Sequence, residues 1–371
     1  MSKIRVLVTD DSAFMRKVIS DILSTDPEIE VIDRAKNGLE CIEKCKQLAP
    51  DVLTLDIEMP VMNGLDALEK LMNECPVPIV MLSSLTKEGA EATIHALELG
   101  AFDFVTKPSG PISLDIHKVG DRLIERVKAA AASKVRLKQQ ITRVAKPVSS
   151  ESKAAPVTPV TPVIRTKIPS PPAVIRSQVG GKARLVVLGT STGGPKALQS
   201  VLTAIPANFP APIAIVQHMP AGFTKSLANR LDSLCQNRVT EVVDGEYLEN
   251  GTAYIAPGGF HFEVRQVNGR LQAYLHQEEP RGGHRPSVDI LFESVSQLTN
   301  VDKWAIIMTG MGNDGTKGLK LMKELGHVTS IIEDESSCVV YGMPRAAIQA
   351  GLADNVAPLE KIPELLCKLL H

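Results

Sequence analysis

Two short apolar runs in this chain end on carboxylates. Residues 4–9 (Ile-Arg-Val-Leu-Val-Thr) lead into Asp10-Asp11, and residues 52–55 (Val-Leu-Thr-Leu) lead into Asp56. Runs this short and this apolar are the pattern of strands buried on both faces, which pair in parallel. In a parallel sheet every strand opens at its C-terminal end onto one edge, so acids that follow different strands converge there. Such a cluster concentrates negative charge and suits a hard divalent cation, probe of which is its all-oxygen donor set. An aspartate beside a bound cation can accept a phosphoryl group, so this half of the chain reads as a switch.

The same alternation continues beyond those runs. Further strands are expected at residues 30–35, 79–82 and 102–106, with helical patterns between them, for example residues 13–23 behind a Ser12 N-cap. Residues 4 to 122 therefore read as a doubly wound α/β domain. Residues 129–140 can extend its last helix, and beyond Lys146 the chain turns proline-rich (Pro147, Pro156, Pro159, Pro162, Pro169, Pro171, Pro172). No aromatic residue falls between Phe104 and Phe209, and Glu151 is the one acid between Lys134 and Lys182. A stretch so poor in apolar surface cannot offset its ordering entropy, and residues 123–182 read as a helix extension plus a flexible Pro-rich linker. A second α/β domain is expected over residues 183–371, with strands at 185–188, 213–217, 253–256 and 304–309. Asn268-Gly269 between alternating runs at 262–267 and 271–276 predicts an antiparallel hairpin within it.

A chain of 371 residues accommodates two such domains. Its formal net charge of −1 supplies no global field for nucleic acid. The six cysteines form no CxxC pair, and Cys41 and Cys45 share one helical face, so reduced structural thiols are expected. No signal-like segment and no apolar stretch long enough to span a bilayer is present, so a cytoplasmic protein without membrane insertion is expected.

At the acidic edge two further residues follow strands: Ser83 after the fourth and Lys107-Pro108 after the fifth. A lysine point charge there can pair with Asp56 or with a phosphoryl oxygen, and a serine hydroxyl can bind another oxygen. Asp10-Asp11, Asp56 with Met59-Pro60 and Gly64, Ser83, and Lys107-Pro108 together resemble the response-regulator receiver family, over residues 1–122. The resemblance implies a flavodoxin-like fold, Asp56 as phosphoacceptor, and Mg²⁺ held by Asp10, Asp11, Asp56 and the main-chain carbonyl of Glu58. It also implies switch roles for Ser83, Phe104 and Lys107, with core packing the simpler account of Phe104.

In the second half, Gly189-Thr-Ser-Thr-Gly-Gly194 follows a strand, and Pro195 opens a helical pattern. A glycine-rich turn at a helix N-terminus can bind phosphate, although the G-x-G-x-x-G of dinucleotide folds is absent. It can instead present Ser191 as a nucleophile beside backbone N–H groups. That second reading needs a base and an orienting acid on the same edge. His218 follows the strand at 213–217, and Asp314 follows the one at 304–309, in Gly310-Met-Gly-Asn-Asp-Gly315. A serine hydroxyl is weak until a base takes its proton, and the imidazole needs a carboxylate to hold its tautomer.

The segments around Ser191, His218 (Val-Gln-His-Met-Pro) and Asp314, with Arg285-Pro-Ser-Val-Asp289 and Tyr341-Gly-Met-Pro344, resemble the chemotaxis protein-glutamate methylesterase family over residues 183–371. The resemblance implies a Rossmann-like esterase in which Ser191 attacks, His218 is base and then acid, and Asp314 orients His218. The resemblance also implies an oxyanion hole formed by the Met311 backbone N–H with Thr192 assisting, and a substrate contact for Arg285. The implied reaction is hydrolysis of glutamate γ-methyl esters on methyl-accepting chemotaxis receptors, with deamidation of receptor glutamines beside it. No cofactor is implied for the esterase, and a chemotaxis histidine kinase is the implied phosphodonor. The receiver is expected to inhibit the esterase until Asp56 is phosphorylated. A DNA-binding regulator would need a helix-turn-helix or a basic face in the second half, and neither is present.

Overall fold

The structure, a computed structural model, describes residues 3–107, 115–144 and 182–370. The Pro-rich linker expected between residues 147 and 172, and Pro108, lie outside the described residues. The first half builds β1 (Ile4–Thr9), α1 (Ala13–Ser24), β2 (Ile29–Ala35), α2 (Gly38–Leu48), β3 (Val52–Asp56), α3 (Gly64–Glu74), β4 (Ile79–Ser83), α4 (Lys87–Leu99), β5 (Asp103–Thr106) and α5 (Asp115–Val144). Its strands pair in parallel in the order β2-β1-β3-β4-β5. The expected Ser12 cap is formed, its hydroxyl accepting from the Met15 N–H. Val52 to Asp56 and Ile79 to Ser83 are buried throughout, as strands covered on both faces must be.

The second half opens with β6 (Ala183–Thr190), α6 (Gly194–Thr203), β7 (Ile213–Gln217), α7 (Phe223–Leu234), β8 (Arg238–Glu241) and β9 (Thr252–Ile255). The hairpin β10 (His261–Val267) and β11 (Arg270–His276) follows, then α8 (Val288–Ser296), β12 (Val301–Ile307), α9 (Thr316–Leu325), β13 (Val328–Glu333), α10 (Met343–Gln349), β14 (Asn355–Ala357) and α11 (Ile362–Leu370). Seven strands form a parallel sheet in the order β14-β13-β12-β6-β7-β9-β8. The hairpin turns at Asn268 (φ 51°) and Gly269 (φ 75°), the two positive φ values that a two-residue type I′ turn demands.

Strands β8, β13 and β14 are additions to the sequence reading. In β13 the polar Ser330 interrupts the apolar run, and its fold is legible only in three dimensions. Its hydroxyl donates to Leu352 O (2.6 Å) and its N–H to Asp354 Oδ2 (2.8 Å), so the polar group is buried with partners.

Each sheet has one place where the chain reverses its direction of winding, between β1 and β3 in the first and between β6 and β12 in the second. Clefts open at such points, outside the carboxyl ends of the strands. The two halves also touch. Phe104 of β5 stacks on Phe223 of α7, with ring centroids 4.8 Å apart, and Arg230 of α7 pairs with Glu98 of α4 (2.6 Å). The stacked pair buries aromatic surface. The solvent-exposed ion pair adds orientation more than energy.

Candidate active site

The winding reversal of the second sheet brings together the ends of β6 and β12. Ser191 follows β6 on a turn whose backbone is fully tied. Its N–H donates to Thr309 O (3.0 Å), while its carbonyl accepts from the Gly194 N–H (2.8 Å) and from Gln217 Nε2 (3.0 Å). Gly193 holds φ +80°, and a Cβ on Gly194 would sit 1.9 Å from Gln217 Oε1, so both glycines are required by shape. The backbone, and not the hydroxyl, thus makes the turn, and Ser191 is left 3% exposed.

His218 follows β7, and its backbone N–H donates to Thr190 O (3.2 Å). Its Nε2–H donates to Asp314 Oδ2 at 2.8 Å, and its Nδ1 is buried without a hydrogen-bond partner among the described residues. Asp314 is gripped in turn by the first turn of α8. Oδ1 accepts from Ser287 Oγ (2.9 Å) and the Asp289 N–H (2.9 Å), and Oδ2 from the Val288 N–H (2.7 Å). The Gly315 N–H adds a contact to Oδ1 at 3.0 Å. Burial disfavours the Asp314 charge, yet the His218 contact and these N–H donors outweigh it and hold the carboxyl far below the usual range.

The grip is reciprocal. Asp289, inside the first turn of α8, accepts from Gly315 N–H (2.9 Å) and Gly318 N–H (2.8 Å) at the start of α9. Each helix N-terminus therefore holds a carboxylate supplied by the other segment, where the macrodipole favours negative charge. Burial first, then the neighbouring Asp314, pushes the Asp289 carboxyl up to about 6. The motif Arg285-Pro-Ser-Val-Asp289 was singled out in the sequence only by resemblance; spacing alone carries no sign of this exchange.

Arg285 donates through Nη1 to the carbonyls of Gln277 and Glu278, both at 2.9 Å, which ties the segment after β11. His284, beside it, stacks flat on His218 with ring centroids 3.9 Å apart and planes 5° from parallel.

Thr192 and Met311 are engaged by the first half of the chain. Thr192 Oγ1 donates to Asp103 Oδ2 (2.7 Å) and accepts from Arg126 Nη1 (2.7 Å). The same Nη1 lies 2.9 Å from Met311 Sδ, and Arg126 Nε pairs with Asp103 at 3.0 Å. Between the halves lies a cavity of about 310 Å³, with His218, His284 and Arg285 on one wall and Asp103, Phe104 and Arg126 on the other. Asp103 and Arg126 carry no signal in the sequence. A charged residue on a strand and another on a helix are ordinary until the second domain is laid against them.

At the first sheet's edge, Asp10 and Asp56 are buried and Asp11 is exposed, with a carboxylate oxygen of each within 4.8 Å of the others. Lys107 Nζ stands 2.8 Å from Asp10 Oδ2 and 2.8 Å from Asp56 Oδ2. Burial first, with Asp10 adding to it and Lys107 opposing, pushes the Asp56 carboxyl up to about 6. Ser83 ends β4 at the same edge. Its hydroxyl donates to Ser84 O and Gly89 O (both 3.1 Å) and accepts from Thr93, so it faces α4 instead of the acidic cluster. Glu58 is exposed in the loop after β3, and Phe104 sits at the inter-domain stack.

Comparison with known proteins agrees with both halves. A family model described as response regulator receiver domain matches residues 6–117, and one described as CheB methylesterase matches residues 186–366. A protein of Halalkalibacterium halodurans named protein-glutamate methylesterase/protein-glutamine glutaminase is 53% identical over 99% of this chain and 98% of its own length. Proteins of the same name from Geobacillus kaustophilus and Bacillus subtilis are 51% and 49% identical, over 100% and 97% of this chain and 99% and 96% of theirs. With a receiver at one end, an esterase at the other and relatives matching from end to end, the chain belongs to the protein-glutamate methylesterase/protein-glutamine glutaminase family.

Proposed function

We propose that this protein hydrolyses glutamate γ-methyl esters, and deamidates glutamines, on methyl-accepting chemotaxis receptors. Residues 183–371 would form the esterase and residues 1–122 the receiver that controls it. The carrying observation is the Asp314 carboxylate, fixed at the N-terminus of α8 and bonded to His218 on the edge where Ser191 is presented. Because Nε2 of His218 is engaged by Asp314, Nδ1 is the nitrogen left to take the Ser191 proton. Ser191 Oγ adds to the ester carbonyl as that proton moves to His218. The oxyanion is then met by the Met311 N–H, with Thr192 as a second donor. Collapse expels methoxide, which takes the proton from His218 and leaves as methanol. Water, deprotonated by the same imidazole, frees the glutamate and Ser191. With glutamine the leaving group is ammonia and the remaining steps are the same.

The receiver restrains this chemistry in the proposal. Thr192, the proposed second donor to the oxyanion, is held by Asp103 and Arg126 of the first half, and Ser191 is nearly closed off. Asp103 and Phe104 lie on β5, the strand that ends beside Lys107, and Lys107 contacts the phosphoacceptor Asp56. A phosphoryl group on Asp56 would draw on Lys107 and so reach the strand that bears the restraint. A chemotaxis histidine kinase would be the donor. The experiment is methanol release from methylated receptor by the full chain, with and without a small phosphodonor. Arg126→Ala is expected to raise the rate without phosphodonor by about tenfold, the loss of one charge-assisted contact, and Asp56→Asn to abolish the response to phosphodonor. An Arg126→Ala rate equal to that of the wild type, with the phosphodonor response intact, would overturn the restraint.

Asp10, Asp11 and Asp56 also fit a hard cation. Their donors are all oxygen, converge within 4.8 Å, and include the buried Oδ2 atoms of Asp10 and Asp56, whose charged neighbour is Lys107. Mg²⁺ held by these carboxylates and the Glu58 carbonyl would neutralise charge during phosphoryl transfer. Without the ion, the raised Asp56 carboxyl favours the fold most below its unfolded pKa, and that contribution is lost as pH rises through about 6. Mg²⁺ binds the ionised form, so it should raise Tm little at about pH 5 and by several degrees at about pH 7.5. Equal Mg²⁺ increments in a thermal melt at both values would exclude Asp56 as a ligand.

A further inference from the structure

His218 has one edge bonded to Asp314, and a single edge contact leaves an imidazole free to swing about the axis of that bond. Its face is covered by a second imidazole, that of His284, at 3.9 Å and 5° from parallel. We propose that His284 is a positioning residue for the base, holding the plane of the His218 ring so that the unpartnered Nδ1 keeps one direction when it takes the Ser191 proton. This rests on the reading of His218 as the base.

The segment carrying His284 is built to keep it in place. Arg281 and His284 exchange backbone hydrogen bonds, N–H to O at 3.0 Å in both directions, across Gly282 (φ 60°) and Gly283 (φ 82°). Positive φ at both central residues is the signature of a tight two-residue turn. On one side Arg281 grips Glu293 of α8 through Nη1 at 2.7 and 2.9 Å, so the turn is tethered to the helix whose first turn holds Asp314. On the other side Arg285 is bonded to the carbonyls of Gln277 and Glu278. His284 is thus fastened on one flank to the helix that also fixes the acid and on the other to the segment after β11. A histidine that merely filled a loop would need none of this.

The chemistry also suits a neutral ring at this position. The groups facing His284 are His218, Asp314, Arg126 and Arg122; burial is the main influence, and with His218 and the two arginines it pushes the imidazole down to about 3. It therefore stays uncharged while His218 cycles. When His218 takes the Ser191 proton, the imidazolium meets an aromatic face instead of a like charge, and such faces attract cations. A residue with a permanent charge would oppose that step.

The test uses the full chain, saturated with a small phosphodonor, releasing methanol from methylated receptor. His284→Ala is expected to lower kcat about tenfold with KM unchanged within about twofold, the scale of one aromatic stacking pair. His284→Phe, which keeps the flat face and cannot titrate, should recover most of that loss. His284→Lys should move the acid limb of the kcat/KM profile to lower pH, because a fixed cation disfavours protonation of His218. In a His218→Ala background, His284→Ala should have no further effect. Full kcat in His284→Ala, or a Phe variant as impaired as Ala, overturns the positioning role. A His284→Ala loss that persists undiminished without His218 also overturns it, since the ring would then be acting elsewhere. Retention of activity by His218→Ala alone would instead sink the reading on which this inference rests, so the two failures are told apart.

Discussion

Ser191→Ala is expected to lower methanol release from methylated receptor by about 10⁵-fold while the thermal melt stays where it was. The rate falls because the hydroxyl that adds to the ester carbonyl is gone; the neighbouring hydroxyls of Thr192 and Thr309 are already hydrogen-bonded to Asp103 and to Thr192 O. The fold stays because the Ser191 main chain is held by the Thr309 carbonyl, the Gly194 N–H and the Gln217 side-chain amide, none of which uses the hydroxyl. Removing His218 as well should add little, since members of such a unit act together and their effects do not sum. A single-turnover assay with the phosphodonor present keeps receiver restraint out of the comparison. Residual turnover within about a hundredfold of the wild type would exclude Ser191 as the nucleophile.

Asp314→Ala should lower activity by about 10⁴-fold, and unlike the serine change it should also destabilise the protein. The carboxylate is the shared acceptor for Ser287 Oγ and for the Val288, Asp289 and Gly315 N–H groups, so its removal strands donors at the start of α8. Stranding buried donors costs on the order of 1–3 kcal/mol, offset in part by relief of the repulsion on Asp289. Asp314→Asn separates the two effects. The one amide oxygen can still accept from Ser287 Oγ and the Asp289 N–H, while the amide nitrogen faces the Val288 N–H, so part of the stability should return. Its charge is gone and the His218 tautomer is no longer held, so activity should remain low. Denaturant melts beside methanol release on both variants make the comparison, and an Asn variant with near wild-type turnover would remove Asp314 from the mechanism.

Much of the site was legible because chemistry in a parallel sheet collects at one edge. Asp10, Ser191 and His218 stand immediately after a strand, Asp56 is the last residue of β3, and Asp314 lies in the loop after β12, so strand order and residue type together point to that edge. The Asn268-Gly269 turn and the Ser12 cap were equally open to inspection, since both depend on contacts within a few residues. Ser83 was placed on its strand end, but its bond to the Gly89 carbonyl, brought close by α4, was not legible from the sequence. Strands β8, β13 and β14 escaped for a related reason, because a polar residue such as Ser330 is acceptable in a buried strand only when a distant partner satisfies it.

By itself, then, the sequence determined two parallel α/β domains and which side chains gather at their edges, with Asp10, Asp11 and Asp56 on one and Ser191, His218 and Asp314 on the other. Those features follow from local periodicity and from what directly succeeds a strand, which are properties of short segments. The tertiary structure alone decided how the groups are held. The reciprocal exchange of Asp314 and Asp289 between α8 and α9, the stack of His284 on His218, and the hold of Asp103 and Arg126 on Thr192 join residues far apart in the chain. Hydrogen bonds and ring stacking act over a few ångströms, and only packing brings such residues within that range.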